Sequence, residues 1–259
     1  MNSQRTAVGC AVLALLLVVS PAPFRAAESS IQTVMETSKA LVDIQSVNAT
    51  VYATKPQGIL DKSTGQLLIM RKVRPVSYAR SGSGIIIDKS GIIVTAAHTV
   101  RGAGGFTVRL FDGTRAKVIS VSAAPEGDIA FLRIDPPFPL VPVPWGDSDA
   151  VSKGANVFTI GHSEYLNGTV LGGKLSGVGR RNVNGGSHAT ILQVAFDMRQ
   201  GDSGCPILDA RGALIGMVNA GQTGGGKATF AIASNLIRAA YLDYLKKQLA
   251  GSDPGRKSE

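Results

Sequence analysis

The chain has 259 residues, 44% of them apolar and 17% charged, with 31 glycines and a formal net charge of +9. That apolar share excludes a charge-rich disordered chain, and neither heptads for a coiled coil nor a Gly-X-Y period for collagen is present. Lys and Arg are scattered, aromatics are 5%, and the densest cluster (Arg71, Lys72, Arg74) is not interleaved with aromatic residues. The charge therefore describes a generally basic surface, and no nucleic-acid partner is expected.

The N-terminus reads as a targeting segment. Arg5 precedes an uncharged apolar run from Ala7 to Val19, which has the length of a signal-peptide core and falls short of the roughly 20 residues that span a bilayer. Ser20-Pro21-Ala22 offers small residues for a signal peptidase, but Pro23 follows, and Arg25-Ala26-Ala27 puts a cation where a small residue belongs. Residues 1–27 are expected to be a signal peptide or N-terminal anchor. The protein is then exported, periplasmic or secreted, either released or held by residues 7–24. No other membrane partner is expected, and the oligomeric state is not readable. Cys10 lies inside the apolar run, so only Cys205 remains beyond it and no intramolecular disulfide is expected. Such a domain must be held by its core.

Residues 28–80 read as an N-terminal helix and strand segment: a short helix over Ile31 to Lys39, then looser apolar spacing through Leu41, Ile44, Val47 and Val51. From Gly84 the pattern is β. Branched apolar runs occur at Ile85–Ile87, Ile92–Val94, Phe106–Leu110, Lys117–Val121, Ile129–Ile134, Val157–Ile160, Ile191–Phe196, Leu214–Val218 and Ala228–Ile232. Glycine or proline clusters separate them at short intervals, which argues a sandwich or barrel and not a βαβ sheet. The proline-rich stretch Asp135 to Pro144 lacks ladder donors and reads as a connector. One long helix follows the strands. Ser234 or Asn235 is its expected cap, Leu236, Ile237, Ala240, Tyr241, Tyr244, Leu245 and Leu249 form one apolar face, and Gly251 ends it. The glycine-rich Gly221 to Gly226 lacks the Lys-Ser/Thr ending of a phosphate loop.

Three segments carry chemistry. Thr95-Ala-Ala-His98 follows an apolar strand, Glu126-Gly-Asp128 puts an acid at the head of another, and Gln200-Gly-Asp-Ser203-Gly-Cys-Pro sets a serine in a glycine-flanked turn. A serine hydroxyl is a weak nucleophile near neutral pH. It needs an imidazole to take its proton and a carboxylate to hold that imidazole in the right tautomer. Glycines at the turn let two backbone N–H groups converge on a developing oxyanion. Each motif alone has a structural explanation; the three together, in the order His, Asp, Ser on a β-rich chain, point to acyl transfer.

The three segments resemble those of trypsin-like, chymotrypsin-fold serine peptidases, and most closely the bacterial HtrA-type (Deg) branch. The resemblance runs from about Ser81 to Leu245 and includes Ser81-Gly-Ser-Gly-Ile-Ile-Ile-Asp, Trp145-Gly-Asp-Ser-Asp-Ala and Phe158-Thr-Ile-Gly161. It implies an all-β fold of two six-stranded antiparallel β-barrels with a C-terminal α-helix. The first barrel is expected at 81–134, the connector at 135–152, the second barrel at 153–233 and the helix at 234–250. It also implies a serine endopeptidase acting on protein or peptide substrates without a cofactor. His98 would be the general base, Asp128 its orienter and Ser203 the nucleophile, with the N–H groups of Gly201 and Ser203 as oxyanion donors.

Several positions depart from the family pattern. The PDZ domain that usually follows an HtrA-type protease is not expected after the terminal helix, and with no Ile-Val-Gly-Gly start visible, activation by a freed N-terminus is not expected either. Asp202 replaces the usual Asn, and is expected to be buried beside a cation, Arg199 or Arg180, or a set of backbone N–H groups. Cys205 stands where a second glycine is usual; its bulk keeps open the alternative of a catalytically silent, protein-binding member. An esterase on an α/β-hydrolase fold fails on motif order. His162 and His188 have no ligand spacing around them, so no metal is expected.

Specificity has two readings. Asp197 lies six residues before Ser203, the offset at which trypsin carries the acid of its primary pocket, and Val218-Asn219-Ala-Gly221 would be the pocket wall. Asp197, Asn219 and Gly221 are then substrate-binding and favour Arg or Lys. Alternatively, HtrA-type enzymes prefer small aliphatic residues, and their Thr-Asp pair matches Phe196-Asp197 on a two-residue deletion, which makes Asp197 structural.

Overall fold

The computed structural model describes residues 30–46, 49–60, 67–78, 81–102, 104–125, 127–161, 169–180, 191–195, 201–221 and 228–251. Within them, runs of Ile, Val and Leu form most of the strands, because branched side chains pack well on a pleated surface. A helix α1 at residues 30–36 and a 3-10 turn, Thr37–Ala40, lead into strand β1 (Leu41–Ser46). Strands β2 (Ala49–Leu60) and β3 (Leu67–Tyr78) pair with each other along their length, from Ala49 opposite Tyr78 to Leu60 opposite Leu67.

The first barrel continues with β4 (Ser81–Asp88), β5 (Ile92–Ala96), helix α2 (Ala97–Val100), β6 (Phe106–Arg109), β7 (Arg115–Ala123) and β8 (Ile129–Ile134). It closes in the order β1-β4-β5-β8-β7-β6. Because β1 pairs with both β4 and β6, this barrel opens at Leu41 and not at Ser81, where the sequence boundary put it. Leu41 and Ile44, three apart, imitate a helical face. In the structure Leu41, Val42, Asp43 and Ile44 are all buried, and a strand covered on both faces loses its alternation. The buried Asp43 is matched across the strand pair by Arg109, Nε to Oδ2 3.4 Å, and by the Gln45 amide at 3.0 Å.

Residues 135–144 form no strand, as the prolines require. Leu140 and Val143 are nevertheless buried, and the Val143 N–H donates to the Ile86 carbonyl at 2.9 Å. The second barrel comprises β9 (Asn156–Gly161), β10 (Thr169–Arg180), β11 (Ile191–Val194), β12 (Pro206–Leu208), β13 (Leu214–Gly221) and β14 (Thr229–Ala233), closing as β10-β11-β14-β13-β12-β9. The expectation of two six-stranded antiparallel barrels is met. Strand β10 had no signal in the sequence: Gly172, Gly173, Gly177 and Gly179 interrupt its apolar residues, and its ladder with β11 shifts register twice.

Helix α3 (Ser234–Gly251) lies against the connector, β8 of the first barrel and β13 and β14 of the second. Tyr241 and Tyr244 pack on Phe131 of β8 with ring centroids 5.9 and 5.1 Å apart, and Trp145 stacks on Tyr241 at 6.4 Å. The Tyr241 hydroxyl donates to Asp88 Oδ2 at 3.0 Å. Two expectations for this helix are corrected. The fully buried Ser234 turns its hydroxyl away from the helix to the Gly146 carbonyl at 3.1 Å, while the Asn235 N–H donates to Ser148 Oγ of the connector at 3.1 Å. Leu249, assigned to the apolar face, is 75% exposed because the helix outruns the surface beneath it. Among the described residues no helix is long and apolar enough to cross a membrane.

Candidate active site

Strand β5, with Ile92 to Ala96 all buried, delivers the chain into α2, whose second residue is His98. Asp128 immediately precedes β8, the neighbour of β5, and Gly127 beside it has φ +74°. Adjacent strands of one barrel thus end side by side. Their chain ends are joined by three hydrogen bonds to one residue. The Asp128 carbonyl accepts from the Ala97 N–H at 3.0 Å, Oδ1 accepts from the His98 N–H at 2.8 Å, and Oδ2 pairs with His98 Nδ1.

Burial pushes the Asp128 carboxyl up; the hydrogen bond and charge of the His98 ring, the His98 N–H and the Arg101 cation outweigh this and hold it below its ordinary value. Asp128 is therefore ionised near neutral pH and accepts from Nδ1–H, which leaves Nε2 as the basic ring nitrogen. The His98 side chain is 43% exposed and that of Asp128 22%, so the ring opens to solvent while its orienting carboxylate is sheltered behind it.

The serine comes from the other barrel, in the turn before β12. Gly201 and Gly204 adopt φ +102° and +93°, values that L side chains rarely take. At Gly204 space is also limiting: a Cβ there would lie 1.9 Å from the Ser83 carbonyl oxygen. The Cys205 N–H donates to the Asp202 carbonyl at 3.0 Å; the Gly204 N–H donates to the Val218 carbonyl at 2.9 Å, and the Cys205 carbonyl accepts from the Val218 N–H at 2.8 Å, which ties the turn to β13. Asp202 is buried, 1% exposed, as expected from sequence. Arg199 and the Arg180 side chain, its suggested partners, lie outside what is described, as do Asp197, His162 and His188. Cys205 is fully buried in the core of the second barrel with Val157, Leu192 and Ile215.

The two halves meet at β4. The Ser83 N–H donates to the Ser203 carbonyl at 2.8 Å and the Ser83 hydroxyl to the Gly201 carbonyl at 3.0 Å. On the histidine side, Thr95 Oγ1 donates to the Ser83 carbonyl at 2.7 Å and lies 3.1 Å from Thr99 Oγ1, next to His98. Gly82 keeps this junction tight, since a Cβ on it would stand 2.9 Å from Thr99 Cγ2 and 3.5 Å from the Ser203 carbonyl oxygen. Ser83, Thr95 and Thr99 were not among the expected site residues: Ser83 and Thr95 are hydroxyls in strands rich in Gly, Ile, Val and Ala, and Thr99 follows His98 in α2, but nothing in the sequence names their partners.

Of the expected pocket wall, Asn219 and Gly221 sit on β13. Val218 pairs with Ala231 and Ala220 with Phe230, so the register slips at Asn219 and this residue is the extra one of a bulge.

A model of the trypsin-like peptidase domain matches residues 82–217, a span that holds His98, Asp128 and Ser203. The chain is 34% identical over 178 residues to a probable periplasmic serine endoprotease, DegP-like, of Brucella suis biovar 1, covering 67% of this chain and 34% of that protein. It is 34% identical over 164 residues to the periplasmic serine endoprotease DegP of Escherichia coli K12, covering 61% and 34%. The chain thus spans about a third of the length of these curated relatives. Among solved structures, the HtrA-type protease AlgW with a decapeptide is similar with a TM-score of 0.65 and 25% identity, over 82% of this chain and 66% of that one.

Proposed function

This chain belongs to the trypsin-like peptidases, and from that premise we propose that it is a serine endopeptidase of the HtrA type that its DegP relatives represent. The observation that carries the reading is the grip of Asp128 on His98, one carboxylate oxygen on the backbone N–H and the other on ring Nδ1. A satisfied structural histidine needs only a partner. Here both the ring and the segment carrying it are fixed by one sheltered carboxylate, and the side chain stays 43% exposed.

In the proposed reaction His98 Nε2 takes the proton from Ser203 Oγ as the oxygen attacks a substrate carbonyl carbon. The negative charge that develops on the carbonyl oxygen is met by the N–H groups of Gly201 and Ser203. Protonated His98, stabilised by Asp128, then gives its proton to the leaving amine. The acyl group remains on Ser203 until water, deprotonated by the same ring, releases it. No cofactor is required. Protein or peptide substrates suit this assignment, as does the decapeptide bound to the similar AlgW. Asp197, Asn219 and Gly221 are proposed to form the primary pocket. The apolar run Ala7 to Val19 and the periplasmic relatives support export. The silent, protein-binding alternative rested on crowding by Cys205. With that side chain buried among core residues, the objection loses its force.

Labelling with a fluorophosphonate probe tests the reading, because phosphonylation needs both the activated hydroxyl and the oxyanion donors. Wild type is expected to take one label, on Ser203, and Ser203→Ala none. A folded wild type that stays unlabelled would sink the proposal.

A further inference from the structure

We propose that Ser83 is a positioning residue of this active site, holding from the first barrel the turn that presents the oxyanion donors; the inference rests on the serine-peptidase reading above. The two donors, the N–H groups of Gly201 and Ser203, are separated by two peptide units, Gly201–Asp202 and Asp202–Ser203. The left-handed Gly201, at φ +102°, leaves the orientation of its own peptide plane adjustable. An outside grip is needed on either side of Asp202, and Ser83 supplies both.

Its hydroxyl donates to the Gly201 carbonyl at 3.0 Å and its backbone N–H to the Ser203 carbonyl at 2.8 Å. Holding the Gly201 carbonyl sets the plane of the Gly201–Asp202 unit, directly after the first donor, and holding the Ser203 carbonyl sets the Ser203–Gly204 unit, directly after the second; the Asp202–Ser203 unit between them is held from within the turn by the Cys205 N–H on the Asp202 carbonyl at 3.0 Å. Together they define the path of the chain between the donors. Ser83 is itself held: it is 1% exposed, its carbonyl accepts from Thr95 Oγ1 at 2.7 Å, and it stands in β4 between β1 and β5. Residue 204 must be glycine for the Ser83 carbonyl to approach it. The hydroxyl of Ser83 is therefore a side-chain link between a strand of the first barrel and the donor turn of the second. Its removal leaves the backbone grip on Ser203 and frees the Gly201 side.

The transition state of acylation needs both donors on the oxygen, whereas substrate binding in the ground state does not, so a loosened Gly201 unit lowers kcat and spares KM. The test compares wild type, Ser83→Ala and Ser83→Cys in the full chain, by cleavage of fluorescein-labelled casein and by the rate of fluorophosphonate labelling, with circular dichroism as the check on folding. Ser83→Ala is expected to lose about 10- to 100-fold in kcat with KM within roughly threefold, and to take the probe more slowly by a similar factor. Ser83→Cys keeps the side-chain shape with a weaker donor and is expected to fall between; it also reads the role if Ser83→Ala does not fold. Wild-type kcat in a folded variant, or a loss confined to KM, overturns the positioning role while wild type still takes the label. A wild type that takes no label removes the serine-peptidase reading and this inference with it.

Discussion

Ser148 of the connector caps the C-terminal helix: its Oγ accepts the Asn235 N–H at 3.1 Å, across 87 positions of sequence. The adjacent Asp147 accepts from the Asn235 side-chain amide at 2.7 Å and from the Asp149 N–H at 2.9 Å. The connector thereby does for α3 what a local Ser or Asp does for most helices, and fixes the helix to the junction of the barrels. Loss of an N-cap hydroxyl costs about 1 kcal/mol, or roughly 2 to 4 °C in a domain of this size. Ser148→Ala is expected to lower the urea-unfolding free energy by that amount and to leave fluorophosphonate labelling unchanged. A difference too small to measure would mean that another group caps the helix.

Gly204 and Gly113 separate space from conformation. Both have positive φ, +93° and +88°. A Cβ at Gly204 would meet the Ser83 carbonyl at 1.9 Å and Thr95 Oγ1 at 2.8 Å, whereas one at Gly113 has nothing within 4 Å. Gly113→Ala should cost only backbone strain, about 1 to 2 kcal/mol. Gly204→Ala must also push the barrels apart at the active site, and is expected to lose more than about 4 kcal/mol or fail to fold. Equal losses for the two variants would refute the close approach of Ser83 to this turn.

How much of this was legible depended on how local each signal was. Ile92 to Val94 and Ile129 to Ile134 announced strands because burial on a pleat selects branched residues. The placement of His98 and Asp128 at neighbouring strand ends, and of Ser203 in a glycine-flanked turn, was legible because each sits in a short motif whose glycines or apolar flanks are explained by what they hold. Strand β1 was hidden by a spacing that imitates a helix, and β10 by glycines that its bulged ladder accommodates. The Ser148 cap and the Ser83 junction were out of reach for a different reason: each joins residues far apart in sequence, and nothing about a lone serine names its partner.

The lowered pKa of Asp128 has a consequence for stability. A carboxylate whose pKa is lower folded than unfolded stabilises the fold above the unfolded value, and the contribution is lost as pH falls through the folded value. The ordinary value is 3.8 and the folded one lies below it. At about pH 5, wild type is therefore expected to exceed Asp128→Asn in stability by roughly 1 to 3 kcal/mol from the charge-assisted bonds to His98. Below pH 3.8 the margin should shrink. Urea unfolding of both proteins from pH 7 to pH 2.5 measures it, and a margin that persists undiminished at the acid end would contradict a lowered Asp128. The same substitution is expected to cut kcat by about 10⁴, since an amide accepts no Nδ1–H with the strength of a carboxylate and permits the wrong tautomer.

Asp197 carries the proposal for specificity. It stands six residues before Ser203, in a stretch that reads Gln200-Gly-Asp-Ser into the nucleophile without a gap. A carboxylate at the base of a pocket meets an Arg or Lys side chain with a charge-assisted hydrogen bond, and an Arg guanidinium with two. An apolar side chain in its place leaves the buried charge unmatched, so the pocket rejects Val and Ala as well as attracting cations. The bulge at Asn219 on β13 breaks the sheet register there, which frees part of that strand's backbone from its own ladder, as the proposed pocket wall requires. Cleavage of a peptide library by wild type should show cuts after Arg and Lys. Asp197→Ser is expected to lose roughly 10- to 100-fold in kcat/KM on those peptides, with no loss on apolar ones. If wild type cuts after Val or Ala as readily as after Arg, Asp197 has a structural role and the pocket is set by other residues.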